Sequence, residues 1–286
     1  MRSSCRRGRA GRKSQHGERQ NRARSSRSYP VKASFVAQTD VGLKRDENED
    51  SYLVDEKNCV FIVADGMGGH AAGNLASRVA VEGICAYFQR LNPSSSAQIF
   101  PYGSNPDLSE TANKIANAVS AANDKIRQIA GRNEQLSGMG TTVVCAVLDD
   151  RLITIGNVGD SRAYLFRQSG YRQITEDHSW VNEQLRKKLI TAEDARTHPW
   201  RNVITRALGS RESIEVDIFE ERVRGGDQIL LCSDGLSSMV DDVSMFEILT
   251  DAGTTQEEKC DRLIEEAKKA GGSDNITLIL IRFMEE

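Results

Sequence analysis

The sequence predicts an α+β protein built on antiparallel sheets. Two observations carry this. Short apolar runs come in hairpin-like pairs, such as 140–148 and 151–158 joined through Asp149-Asp150. The helical patterns gather into blocks, 73–91 with 109–131 and 243–250 with 255–270. They do not alternate one-for-one with strands, as a doubly wound parallel sheet would require. The composition permits a core, with 286 residues of which 38% are apolar and 28% charged. That length allows one large domain or two small ones. No apolar run approaches the ~18 residues of a spanning helix. No secretory apolar segment follows Met1.

Each element has its own signal. Residues 33–39 and 51–55 read as short strands, and the continuous apolar run 59–65 (CVFIVAD) as a buried one. Leu75, Val79, Ala80, Ile84, Phe88 and Leu91 fall near helical spacing. Residues 92–107 hold three of the five prolines and read as a loop. After the helix at 109–131 come strands 140–148, 151–158 and 162–167. Residues 178–209 are polar and mixed, helical in part. Strands follow at 214–219 and 228–233, then two helices, and the run 276–283 (ITLILIRF) closes the chain.

The net charge of −3 conceals an asymmetry. Residues 1–28 carry ten basic residues and one acid, so the remainder stands at −12. Residues 1–30 are Arg/Ser/Gly-rich, cannot bury a core, and are expected to be a disordered basic extension. Three readings of it stay open: an arm for nucleic acid or anionic lipid, an organellar transit segment, or a segment foreign to the natural protein, whose start would then be Val31. The acidic body, 31–286, is a poor general nucleic-acid binder and suits divalent cations or a basic partner. A nucleic-acid role therefore rests on the extension alone. The six cysteines form no C-x-x-C pair, which argues against a cysteine zinc site. Cys59, Cys145 and Cys232 read as small buried hydrophobes. Their scatter fits a reducing cytosol, hence a cytoplasmic protein.

Five acids share a placement. Asp65 ends an apolar strand before Gly66, Asp160 follows a strand and a glycine, and Asp234 ends an apolar run before Gly235. Asp274 precedes the closing strand, and Asp50 precedes an early one. Aspartate disfavours strands and is costly to bury unpaired. One such residue is usually a turn or cap residue. Five suggest convergence on shared cations, and all-oxygen ligation fits Mg²⁺ or Mn²⁺ rather than Zn²⁺. From spacing alone, a cation site and separate turn aspartates stay equally open. The segment Gly66–Ala71 (GMGGHA) matches a dinucleotide fingerprint only superficially. Asp65 would repel a pyrophosphate, and no second strand with a terminal acid follows about 20 residues on. Its glycines fit close backbone approach to a metal centre better.

Together these segments resemble the metal-dependent protein phosphatases of type 2C. The matches are Arg45 with Glu49-Asp50 (RDENED), VADGMGGH around Asp65-Gly66, GTT (140–142), VGDSR (158–162), EDHS (176–179), CSDGL (232–236) and SDN (273–275). They fall in the family's order across about residues 33–284, and DGMGGH resembles the bacterial branch. The resemblance implies a central sandwich of two antiparallel β-sheets flanked by α-helices. It implies two Mg²⁺ or Mn²⁺ ions per chain, with room for a third. Asp65 would bridge two cations, the Gly66 carbonyl would ligate one, and Asp234 and Asp274 would complete a shell. Glu49 and Asp50 would act directly or through water. Asp160, with Asp234, would hold the third cation, and Asn275 would support from behind. Arg45 would grip the substrate phosphate, although a surface ion pair is the usual fate of such a residue.

The reaction so implied is hydrolysis of phosphoserine and phosphothreonine in proteins by a metal-activated water, opposing a bacterial Ser/Thr kinase. The alternatives are a phosphoprotein-binding pseudophosphatase, against which the complete acid set speaks, and an anti-anti-sigma-type regulator. One departure stands out. Eukaryotic relatives carry a histidine after the Asp-Gly pair, proposed to protonate the leaving oxygen. Here Met67 occupies that position, and His70 is the nearest candidate acid. His70 as a plain helix N-terminal residue, with a water as donor, is the competing reading. Residues 180–206 correspond to the family's flap. Its Arg186, Lys187, Lys188 and Arg196 would steer phosphorylated substrates or form a solvated face. Trp180 and Trp200 are expected to pack, and His178 to fix a loop by hydrogen bonding.

Overall fold

The computed structural model describes residues 32–69, 71–91 and 100–284. The basic extension and Val31 lie outside the described residues, as do residues 92–99 of the expected loop. In chain order the strands and helices begin with β1 (Lys32–Asp40), β2 (Asp50–Asp55), β3 (Val60–Met67), α1 (Ala71–Arg90) and α2 (Glu110–Ala130). Then come β4 (Gly140–Thr141), β5 (Val143–Asp149), β6 (Leu152–Val158), β7 (Arg162–Arg167) and β8 (Gly170–Gln173). The flap carries α3 (Trp180–Arg186) and α4 (Ala192–Thr197). The last part holds β9 (Asp217–Arg222), β10 (Gln228–Cys232), α5 (Asp234–Ser237), α6 (Asp242–Thr250), α7 (Gln256–Lys269) and β11 (Ile276–Met284).

Alternation along the strands builds the layers, because successive side chains point to opposite faces. One sheet runs β1-β11-β10-β7-β8 and the other β2-β3-β5-β6-β9, with β4 paired to β3. Every pairing is antiparallel. Phe61 and Val63 of β3 meet Leu165, Ile229 and Ile279 of the other sheet in a central core. Their neighbours Val60, Ile62 and Ala64 point outward, beneath Ile84 of α1 and Ile115 of α2. In β10, Leu230 and Cys232 likewise turn outward against Leu249 of α6 and Leu263 of α7. The result is helices, sheet, sheet, helices, as the resemblance implies, on the antiparallel α+β plan the sequence predicts. Each fully buried Leu or Ile in these layers contributes roughly 1.5–3 kcal/mol.

Local chemistry sets the helix ends. Ser109 caps α2 through the Ala112 N–H, and Thr255 with Glu258 forms a reciprocal capping box on α7. The Asp149-Asp150 turn joins β5 to β6, with Asp150 at φ 53°.

The structure corrects three expectations and adds two short elements. Cys59 precedes β3 in a left-handed turn at φ 51° and is only partly buried, whereas Cys145 and Cys232 are fully buried. The run 140–148 is broken at Thr142, whose N–H turns aside to the Asp65 carbonyl at 2.9 Å. The strand expected at 214–219 lies at 217–222. Ile214 and Val216 earn their apolar character by packing on the α2 side of the core, ahead of the strand. The short β8 and α5 carry too few residues for any period to show.

Asp55 ties the β2–β3 turn to α1. It accepts from the Asn58 N–H at 3.2 Å, Asn58 Nδ2 at 2.8 Å and Gln89 Nε2 at 3.0 Å, with Cys85 Sγ at 3.6 Å. Burial alone would raise its pKa, but these donors together hold it below the ordinary carboxylate range. A depressed carboxylate stabilises the fold above its unfolded pKa of about 3.9, and the contribution is lost as pH falls through the folded value. Asp55→Asn should cost about 1–2 kcal/mol near neutral pH. In urea melts taken down to about pH 3, the gap between the two proteins should close.

Candidate metal centre

The starts of β2 and β11 and the ends of β3, β6 and β10 meet at one end of the sandwich, because antiparallel pairing places them there. Asp50 opens β2 and pairs in register with Asp65 near the end of β3. Asp160 follows β6, Asp234 opens α5 directly after β10 and Ser233, and Asp274 precedes β11. The five acids from distant sequence positions thus share one corner.

The backbone around them is clamped. The Asp65 N–H donates to Thr142 Oγ1 at 3.0 Å, and the Asp65 carbonyl accepts from Thr141 Oγ1 at 2.8 Å. Thr142 and Ser161 hydroxyls meet at 2.7 Å, which ties the Asp65 clamp to the residue after Asp160. Ser233 Oγ donates to Asp50 Oδ2 at 2.7 Å. Asn275 staples the loop between β1 and β2. Its Oδ1 accepts from the Glu49 N–H at 2.8 Å, and its Nδ2 donates to the carbonyls of Val41 and Glu47 at 2.9 and 3.0 Å. Gly66 is wedged between backbones. Its N–H reaches the Glu49 carbonyl at 3.2 Å, and a Cβ there would collide with the Gly73 carbonyl.

These residues surround a pocket of about 310 Å³. Arg45, Glu49, Asp65, Gly66, Asp160, Asp234 and Asp274 line it, with Met67 on its wall. Asp50 and Asn275 are buried and do not line it. His70 lies outside the described residues. Arg45 Nη2 bonds Asp274 Oδ2 at 2.8 Å, so its ion pair is with the distant Asp274 rather than an acidic neighbour in sequence. Sequence reasoning missed Asn202 and Ile204, through which the flap forms part of the wall, and Asp46 and Glu47 on the loop. Nothing local in GTT (140–142) signals the clamp that Thr141 and Thr142 put on Asp65.

The electrostatics are unfavourable without a cation. Burial raises the pKa of Asp65 well above the carboxylate range, and the charges of Asp50, Asp234, Asp160 and Asp274 add to it. Burial also pushes up Asp50, against donations from Thr277 and Ser233, and Asp160, where Asp234 and Asp177 add repulsion. Asp234 is raised by burial and by Asp274. Asp50 Oδ1, Asp160 Oδ1 and Asp234 Oδ1 are buried without a hydrogen-bond partner. Orphaned carboxylate oxygens around one small pocket fit a hard divalent cation. Among the described residues, no three His, Cys, Asp or Glu side chains already close into a coordination shell.

Backbone bonds tie the two ends of the flap segment together, Trp180 N–H to the Val203 carbonyl and Thr205 N–H to the His178 carbonyl, both at 2.8 Å. His178 is buried and accepts from the Gly159 N–H through Nδ1 at 3.0 Å, so it fixes a loop as expected. Trp180 stacks on His198 at 4.6 Å and meets Trp200 edge-on at 4.9 Å, although Trp200 remains 54% exposed. Arg186 pairs with Glu176, Lys187 with Glu183 and Arg196 with Glu193, all as exposed contacts.

A layered sandwich with an acidic pocket at the strand ends defines a class, and comparison with known proteins agrees. Residues 44–267 match the family model for Protein phosphatase 2C. The chain belongs to the protein phosphatase 2C family. "Serine/threonine phosphatase stp" of Listeria innocua is 41% identical over 246 residues, covering 85% of this chain and 93% of that protein. The crystal structure of the Mycobacterium tuberculosis serine/threonine phosphatase PstP/Ppp superposes with a TM-score of 0.77 at 34% identity, covering 90% of this chain and all of that one. A PstP catalytic domain solved with two manganese ions gives a TM-score of 0.75 at 32% identity, covering 89% of this chain and 99% of that one.

The glycine wedge can be tested. Gly66→Ala should destabilise the fold by about 1–3 kcal/mol, because backbone lies on every side. Gly83→Ala is the contrast, since a Cβ there meets Ala122 Cβ at an ordinary 3.6 Å. It should leave stability unchanged or raise it by up to about 1 kcal/mol. Paired thermal melts would show whether the loss belongs to the wedge.

Proposed function

We propose that this chain hydrolyses phosphoserine and phosphothreonine in proteins with divalent cations held in the acidic pocket. The observation that carries the reading is the set of buried carboxylate oxygens left without partners around one pocket. Asp65, the Gly66 carbonyl, Asp234 and Asp274 would hold the cations, and Glu49 and Asp50 would support them directly or through water. Asp160 with Asp234 would hold a further one. When bound, such cations supply Lewis acidity, giving water a nucleophilic form at neutral pH and offsetting charge on the phosphoryl oxygens. The two manganese ions in the PstP domain support Mg²⁺ or Mn²⁺ dependence here.

The chain's own residues do the remaining work. Arg45 stands at the pocket wall, about half exposed, and its planar fork matches two phosphoryl oxygens. Its exposed pair with Asp274 is worth little, so the guanidinium can turn to a substrate at small cost. Met67 has no proton to give, which leaves His70 or a water to protonate the leaving oxygen. Ile204 and Asn202 place the flap against the entering phosphoprotein. Substrates of this kind are made by protein Ser/Thr kinases, so the enzyme would oppose such a kinase in the cytoplasm. Among the described residues no helix is long and apolar enough to cross a membrane.

Phosphate release from a phosphothreonine peptide tests the reading, with Mn²⁺, with Mg²⁺ and with excess EDTA. Turnover should require metal, and Asp234→Asn should lower it by at least about a hundredfold. Turnover in EDTA, or an unimpaired Asp234→Asn, would overturn the proposal. Arg45→Lys should mainly raise KM, by about tenfold, because a point charge replaces a bidentate fork. Steady-state kinetics on the same peptide would separate that from an effect on kcat.

A further inference from the structure

We infer that His178 is a positioning residue that couples the flap to the acidic pocket. Its ring holds the backbone corner that aims Asp160, while its main chain holds the returning limb of the flap. This rests on the assignment of Asp160 to a cation.

The corner needs an external hold. Gly159 sits at φ 111°, a conformation that L side chains rarely adopt, and its Cα is tight against Thr142, where a Cβ would come within 2.6 Å. Asp160 follows immediately. One residue grips Gly159 from both sides: the His178 N–H donates to the Gly159 carbonyl at 2.9 Å, and the Gly159 N–H donates to His178 Nδ1 at 3.0 Å. Since Nδ1 accepts, Nε2 carries the proton in the neutral ring. Nε2 lies 3.1 Å from Asp217 Oδ2, and Asp217 Oδ1 in turn accepts from Arg206 at 2.6 Å. Arg206 Nη1 lies at the same 3.1 Å from Nε2, so the Asp217–Arg206 pair braces the ring, with Asp217 as the acceptor for its N–H.

The same residue helps tie the two ends of the flap together. The His178 carbonyl accepts from the Thr205 N–H at 2.8 Å, and the Val203 carbonyl accepts from the Trp180 N–H at 2.8 Å. Ser179 and Ile204 form a bridge between these bonds, and Ile204 reaches the pocket wall. Any displacement of the flap limb at Thr205 thus pulls on the residue that sets Gly159. No contact between His178 and a substrate is needed for this role.

The test uses the full chain and reads the metal-free protein first. Hydrogen exchange should accelerate by about tenfold or more in His178→Ala over both 157–161 and 203–206, with the middle of β5 unchanged. Isothermal titration with Mn²⁺ should then show the weakest binding class reduced by about tenfold, as in Asp160→Asn. His178→Asn keeps an acceptor near the Gly159 N–H and should restore part of both effects. It also serves if the alanine variant folds poorly. Exchange that accelerates in the flap limb alone, or a His178→Ala isotherm matching the wild type beside a weakened Asp160→Asn, would overturn the inference by itself. An Asp160→Asn isotherm identical to the wild type would instead sink the cation assignment, and the inference with it.

Discussion

The constraint behind the structure is the repulsion among carboxylates confined to one end of the sandwich. Asp50, Asp65, Asp160 and Asp234 are all raised by burial; the charge of Asp234 adds to the first three, and that of Asp274 adds to Asp234. Left to themselves such groups would separate or turn to solvent. They stay because their backbones are held. The Thr141–Thr142 clamp fixes Asp65, Ser233 fixes Asp50, Gly159 fixes the approach to Asp160, and Asn275 fixes the loop that carries Arg45 and Glu49. The sandwich supplies the stability that such an unfavourable cluster draws on.

Antiparallel topology explains why the acids can meet. Successive strands reverse direction, so the start of one element lies beside the end of the next. Asp50 and Asp65 are fifteen positions apart yet opposite in register. The two outer clusters bury both helix pairs, and the central cluster is shared by both sheets. The corner is therefore anchored by all four layers rather than by a single loop.

Much of this is legible in the sequence because period-two and helical patterns persist across most elements. The continuous run at 60–64 is apolar on both faces because helices cover one face and the second sheet the other. The acids at strand ends stand out because aspartate is out of place there. What escapes the sequence is pairing between distant segments. Nothing local links Arg45 to Asp274, Asn202 to the pocket, or His178 to Asp217. The displaced β9 shows the same limit, since Ile214 and Val216 are apolar for a tertiary reason before the strand begins.

The position of β11 has a consequence for synthesis. This last strand lies between β1 and β10, pairing with β1 from Lys32 opposite Met284 to Asp40 opposite Ile276. A chain emerging from the ribosome holds β1 without its neighbour until β2 through α7 have been made. Asp274 and Asn275 arrive just ahead of β11, so the corner is completed only after those elements. The second sheet, drawn from β2 to β9, can pair earlier. Vectorial folding thus separates four of the acids from the fifth: a chain interrupted before β11 is a partly assembled sandwich whose corner lacks Asp274 and the Asn275 staple.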